Sequence, residues 1–135
     1  MLISGRFAGL SFEAICHKHV AQIRKALSID PGADMGSWRY VPREGLAERG
    51  AQIDLLFDRP DESITLCEIK HSEKPFAIDK EYTGQLQRKA DVYVKQTRTQ
   101  KQIFWAMITS SGLKKTKYSD DLIFQDAELN DLFSF

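Results

Sequence analysis

Apolar residues first recur at helical spacing. Phe12, Ile15, Cys16, Val20, Ile23 and Leu27 form one stripe after Ser11, the period of an amphipathic helix. Ser11 stands at an N-cap position, and Arg24 and Lys25 sit where cations suit a helix C-terminus, so one helix is predicted over about 11–27. The Asp30-Pro31-Gly32-Ala33-Asp34 cluster stops it. Residues 38–41 read as a short strand and 42–50 as a polar loop. The strongest β signal follows, two arms at 52–58 and 64–70 around the turn-rich Arg59-Pro60-Asp61-Glu62-Ser63, and together they predict a hairpin. A second helix is predicted from Asp79 to about Gln96, with Tyr82, Leu86, Ala90 and Tyr93 on one face. Gly84 weakens it by about 1 kcal/mol relative to Ala. The unbroken apolar run 103–108 suits a strand buried on both faces. Strand, helix and buried strand make a βαβ unit, whose crossover is right-handed. Residues 110–119 then read as a loop, 122–124 as an edge strand and 127–133 as a short terminal helix. The expected fold is α/β, in the order αβββαβ with a βα tail, a mixed sheet flanked by helices.

Composition adds limits. At 135 residues, 42% apolar and 28% charged, the chain suits one domain over 1–135 with a sizeable core. No stretch approaches the roughly 20 apolar residues of a membrane span. Met1 to Arg6 lacks the basic-then-apolar pattern of a signal peptide, so the expected location is cytoplasmic. Cys16 and Cys67 fall on apolar positions, as reduced buried thiols do. His17, His19 and His71 show no zinc-type spacing with them, and surface or packing roles are expected.

The net charge of zero hides an ordering. Residues 1–68 carry 8 Lys/Arg against 10 Asp/Glu, 69–118 carry 11 against 4, and 119–135 carry 0 against 5, giving −2, +7 and −5. The basic stretch directly follows the hairpin, so a polyanion could lie across the hairpin's acids while Lys and Arg meet its phosphates. Solvated helix faces with scattered Lys are the plain alternative.

The hairpin carries the chemistry. Side chains alternate along a strand, so Glu68 and Lys70 share one face and Ile69 takes the other. On the partner arm Asp54, Leu56 and Asp58 share one face, and Ile53, Leu55 and Phe57 the other. A turn centred on Asp61 pairs 54 with 68, 56 with 66 and 58 with 64, setting Asp54 directly opposite Glu68. Like charges in that position destabilise unless neutralised, and a divalent cation is the natural neutraliser. Mg²⁺ typically takes one or two protein carboxylates, keeps waters and accepts substrate phosphate. It would activate water and stabilise phosphoryl charge, with Lys70 to orient the water or meet developing charge. Glu-Ile-Lys alone means little, and an exposed hairpin edge with a Glu/Lys pair is the alternative. The register opposite Asp54 carries the argument.

Glu13 in the first helix, Gly50-Ala51-Gln52-Ile53-Asp54 in one strand and Cys67-Glu68-Ile69-Lys70 in the next, followed by a helix and a buried strand, resemble the PD-(D/E)XK nuclease superfamily. That superfamily includes restriction-endonuclease-like and Holliday-junction-resolvase-like domains, and the resemblance spans nearly the whole chain. Phe12-Glu13 with Cys16 and His19, the strand ending at Asp54, and Pro75-Phe76-Ala77-Ile78-Asp79-Lys80 look more narrowly like the nuclease-like domain at the C-terminal end of archaeal-type AAA-family ATPases. The resemblance implies a restriction-endonuclease-like core and hydrolysis of DNA with Mg²⁺ (or Mn²⁺). It implies Asp54 and Glu68 as metal ligands with the Ile69 carbonyl as a third, Lys70 as the catalytic lysine and Glu13 as an auxiliary acid. Ile53 departs from the pattern, standing where the family name has Pro. The absence of a Gly-x-x-x-x-Gly-Lys-Ser/Thr loop excludes the ATPase itself. Glu13 also has a bland reading, an acid in a first helical turn favoured by the dipole. Gln85 and Lys89, four apart on the second helix, are accessory candidates. Two further readings stay open: a DNA- or partner-binding module working with an AAA-family ATPase, and a homodimer joined through an apolar strand or the Leu132-Phe133-Ser134-Phe135 tail.

Overall fold

The computed structural model describes residues 5–45 and 49–133; residues 1–4, 46–48, Ser134 and Phe135 lie outside the described residues. In chain order the elements are α1 (Gly5–Lys18), α2 (Val20–Ala26), β1 (Asp34–Tyr40), β2 (Ala51–Arg59), β3 (Ser63–Lys70), β4 (Phe76–Ala77), α3 (Lys80–Thr97), β5 (Gln102–Thr109), β6 (Leu113–Lys114), α4 (Lys117–Leu122), β7 (Ile123–Glu128) and a closing 3-10 helix (Leu129–Phe133). Five strands form one mixed sheet in the order β1-β2-β3-β5-β7. The pairs β1–β2 and β2–β3 are antiparallel, and β3–β5 and β5–β7 parallel. The fold is α/β with a mixed sheet flanked by helices, and β3-α3-β5 is the expected crossover unit.

Two apolar clusters sandwich the sheet. One joins Phe12, Cys16, Ile23, Leu27 and Leu132 to Leu55, Phe57, Cys67, Ala106 and Ile108. The other joins Leu86 and Tyr93 of α3 to Leu56, Ile64, Leu66, Trp105 and Met107. Alternation along β3 therefore works as the sequence predicts: Leu66 faces α3, while Cys67 and Ile69 face α1 and α2. The α3 stripe holds, and Asp79 caps that helix by accepting from the Tyr82 N–H at 2.8 Å.

Several boundaries move. The one helix expected over 11–27 is two, because α1 begins at Gly5, putting Ser11 inside it, and His19 (φ −117°, ψ 36°) leaves helical geometry. The His19 N–H bonds back to both the Ile15 and Cys16 carbonyls, at 3.1 Å each, the tightening common at a helix end. The strand expected at 38–41 starts at Asp34, inside the supposed breaker. The loop expected at 110–119 holds β6 and the start of α4, where Thr116 and Ser119 form a reciprocal capping box. The terminal helix expected at 127–133 is the end of β7 followed by a 3-10 turn, since Ala127 packs on the sheet. Leu132, expected on a dimerising tail, is 0% exposed in the chain's own core. No described helix is long and apolar enough to cross a membrane.

The most consequential departure is a one-residue slip between β1 and β2. Gly36 pairs with Leu56 but Trp38 with Ile53, so Asp54 and Leu55 together face Ser37. Two residues opposing one is a β-bulge, which bends the strand and re-aims a side chain. It breaks the expected alternation: Ile53 packs with Leu56 on the α3 side instead of with Leu55 and Phe57.

Cys16 and Cys67 are both buried and free. Burial pushes the Cys16 thiol up to about 12 and raises Cys67 as well. An unfolded thiol ionises near about 8.5, so above that pH the native state binds more protons than the unfolded one. This contribution to stability is complete below about pH 8.5 and falls as pH rises toward the native pKa. Urea titrations at pH 8 and pH 10 should show a smaller loss in Cys67→Ala than in the parent. An equal loss in both would remove the thiol from the account.

Candidate active site

The carboxyl ends of the parallel strands gather the polar residues, where ligands bind in open α/β sheets. Glu68 follows Leu66 on the α3 face of β3, and there Lys89 donates to both its carboxylate oxygens, at 3.0 and 3.2 Å. Their side chains are 18% and 26% exposed respectively. Burial raises the Glu68 pKa, Lys89 opposes that most strongly, the Asp54 charge adds to the rise and Lys70 opposes it least. The Tyr82 hydroxyl is buried against Glu68, and burial first, then the Glu68 charge and a hydrogen bond to its carboxylate, raise its pKa.

Asp54 sits in the bulge. The β2–β3 register runs Arg59↔Ser63, Asp58↔Ile64, Leu56↔Leu66 and Leu55↔Cys67, so the expected pairing is right. The paired stretch nevertheless ends one step before Asp54 and Glu68. The direct opposition expected of these two acids is thus relaxed, because the bulge re-aims Asp54. Gln52 donates to Asp54 at 2.6 Å, and both line a cavity of about 280 Å³ with His17, Ser37, Trp38, Arg39 and Ile53. From α1, Glu13 is coupled to Asp54: burial raises the Glu13 pKa, the Asp54 charge adds to it, and His17, at 3.8 Å, pulls the other way. Glu13 lies well inside α1, whose first turn carries no acid, so the helix-dipole explanation fails for it. Gly50, at the mouth of this strand pair, has no room for a side chain, since a Cβ would stand 2.7 Å from the Tyr40 carbonyl oxygen.

Lys70 is held by rings. Its ammonium lies 5.3 Å from the Phe76 centroid and 5.9 Å from that of Tyr82, a cation–π arrangement with the two rings edge-on at 5.0 Å. Phe76 is fixed there by the small β4–β6 pair, in which it partners Leu113. Its N–H bonds the Gly112 carbonyl at 2.9 Å, and Ser110 closes the base of the pair on Ser72 at 2.9 and 3.0 Å.

Asp54 is coupled by charge to Glu13 on the α1 side and to Glu68, and Glu68 in turn to Lys89 and Lys70. Ile69 holds its ladder position opposite Ile108 with its side chain toward the inner core. Gln85 is exposed, and no contact joins it to the group. Among the described residues no three His, Cys, Asp or Glu side chains form a cage for a metal ion. The donor set near Glu68 and Asp54 is hard oxygen, the kind Mg²⁺ and Mn²⁺ take with one or two carboxylates and waters. Sequence reasoning missed the Tyr82 hydroxyl, Phe76 and Gln52. Tyr82, Leu86 and Lys89 follow heptad spacing on α3, a signal that could have put Tyr82 and Lys89 on one face of that helix.

The basic stretch divides on folding. Lys89 and Lys101 are taken by Glu68 and Asp58. Lys74, Lys80, Lys114, Lys115 and Lys117 are exposed on or beside β4 and β6. No family model and no curated protein matches the chain.

Proposed function

We propose that the chain is a PD-(D/E)XK-type nuclease domain with a restriction-endonuclease-like core, hydrolysing DNA phosphodiester bonds with Mg²⁺ or Mn²⁺. One observation carries this reading: Glu68 and Lys70 share the α3 face at the carboxyl end of β3, with the Asp54 charge near enough to raise the Glu68 pKa and exposed lysines on or beside β4 and β6. Asp54 and Glu68, with the Ile69 carbonyl, would hold the ion, which when bound supplies Lewis acidity and a water of lowered pKa. The chain's own groups do the rest. Lys70, steadied by Phe76 and Tyr82, faces the developing phosphoryl charge. Glu13, its pKa raised beside Asp54, is an auxiliary acid. The exposed lysines grip phosphates and orient the backbone.

Plasmid, linear and branched DNA incubated with the protein in Mg²⁺ or Mn²⁺ should be cut, and not in chelator. Failure on all of them with both ions would sink the reading. Replacing Lys114, Lys115 and Lys117 by Gln should weaken DNA binding regardless of sequence. It should also reduce the slope of log affinity against log salt by about 1 for every phosphate the variant no longer touches. An unchanged slope would move the DNA elsewhere.

A second reading has one observation in its favour. Lys89 already takes both Glu68 oxygens, as suits a catalytically weak DNA- or partner-binding module beside an AAA-family ATPase. Such a module would bind DNA with the same salt dependence and show no Mn²⁺ affinity that depends on Glu68.

A further inference from the structure

Lys89 bonds both carboxylate oxygens of Glu68. Resting on the metal-dependent reading above, we infer that Lys89 is the resident cation of the metal-free site, released when a divalent ion takes Glu68. Its ammonium is 3.0 and 3.2 Å from the two carboxylate oxygens. An ion at the roughly 2.1 Å distance typical of Mg²⁺ needs the same oxygens, and two cations at such separations repel strongly where water is partly excluded. Metal entry is therefore an exchange, with one positive charge leaving the carboxylate as two arrive. The backbone of Lys89 is anchored one turn after Leu86, which is 1% exposed, and one turn before Tyr93, which is 7% exposed. The side chain, not the helix, makes the move.

The released ammonium keeps its charge at the site for an anionic ligand.

The test uses the full chain with Mn²⁺ alone. Free Mn²⁺ is followed by electron paramagnetic resonance, and lysine reactivity by reductive methylation with mass spectrometry, comparing Lys89 with the exposed Lys25. Saturating Mn²⁺ should speed labelling of Lys89 several-fold and leave Lys25 unchanged. Lys89→Gln should bind Mn²⁺ about tenfold more tightly, within the usual range of coupling between competing sites. Lys89→Arg, which keeps the charge, should not. If Lys89→Gln does not fold without metal, the labelling of the parent protein decides. Glu68-dependent Mn²⁺ binding with unchanged Lys89 labelling would overturn the exchange and leave the metal reading intact. No Mn²⁺ binding by the parent or by Lys89→Gln would remove the metal reading, and the exchange with it.

Discussion

On the proposed nuclease function, Glu68→Gln is expected to lower metal-dependent DNA cleavage by at least about a hundredfold, since even the outer partners of metal ligands commonly matter by 10–100-fold. Asp54→Asn should behave alike. The same Glu68 change should leave the folded protein as stable as the parent or more so, and the sign follows from the site. Burial raises the Glu68 pKa, and the opposing pull of Lys89 does not cancel it. The native state therefore holds this proton more firmly than the unfolded chain. The stability contributed is complete below the ordinary carboxylate range and is lost as pH rises through the raised native pKa. The charged form of Glu68 is the one burial disfavours, and Gln avoids it while keeping the shape. Lys89, 26% exposed, can then turn to water. Plasmid nicking and urea titrations at pH 5 and pH 7 check both halves. Retained cleavage would remove Glu68 from the chemistry. A large fall in stability would make the Glu68–Lys89 pair a structural tie.

Phe57→Ala should cost about 3–5 kcal/mol, the usual range for emptying a buried aromatic site. Phe57 is 0% exposed on β2, and the Arg24 guanidinium covers its ring at 5.1 Å. Domains of this size are stable by only about 5–15 kcal/mol, so the variant should be partly unfolded at 37 °C. The proposed cleavage should fall with the folded fraction, because the ring packs in the α1/α2 cluster, on the other face of the sheet from Glu68 and Lys89. The urea midpoint is the measurement, and a loss under about 1 kcal/mol would place the ring outside the core.

These two variants separate what was legible in the sequence from what was not. The hairpin register was legible because a two-residue period and a short turn leave one pairing that buries the apolar arms. Ile64 opposite Asp58 and Leu66 opposite Leu56 follow from it. The α3 stripe and its Asp79 cap, and the buried β5, were legible for the same local reasons. The lysine excess after the hairpin was visible, and so was the candidacy of Glu68, Lys70 and Lys89.

Other features belong to distant contacts. The bulge that re-aims Asp54 exists only because β2 pairs with β1, and a period-two pattern cannot register one extra residue against a partner strand. The β4–β6 pair that seats Phe76 over Lys70 joins two-residue strands with no periodicity of their own. The stripe ending at Leu27 reads as one helix because apolar spacing survives a single non-helical residue at His19. Lys89 was visible as a lysine on a helix, but only packing against β3 decides whether it faces water or Glu68. Sequence by itself determined the pairing of the β2–β3 arms and the apolar stripe of α3, since those rest on local periods. Tertiary structure alone decided where each charge points and what it meets, because that depends on pairing between segments far apart along the chain.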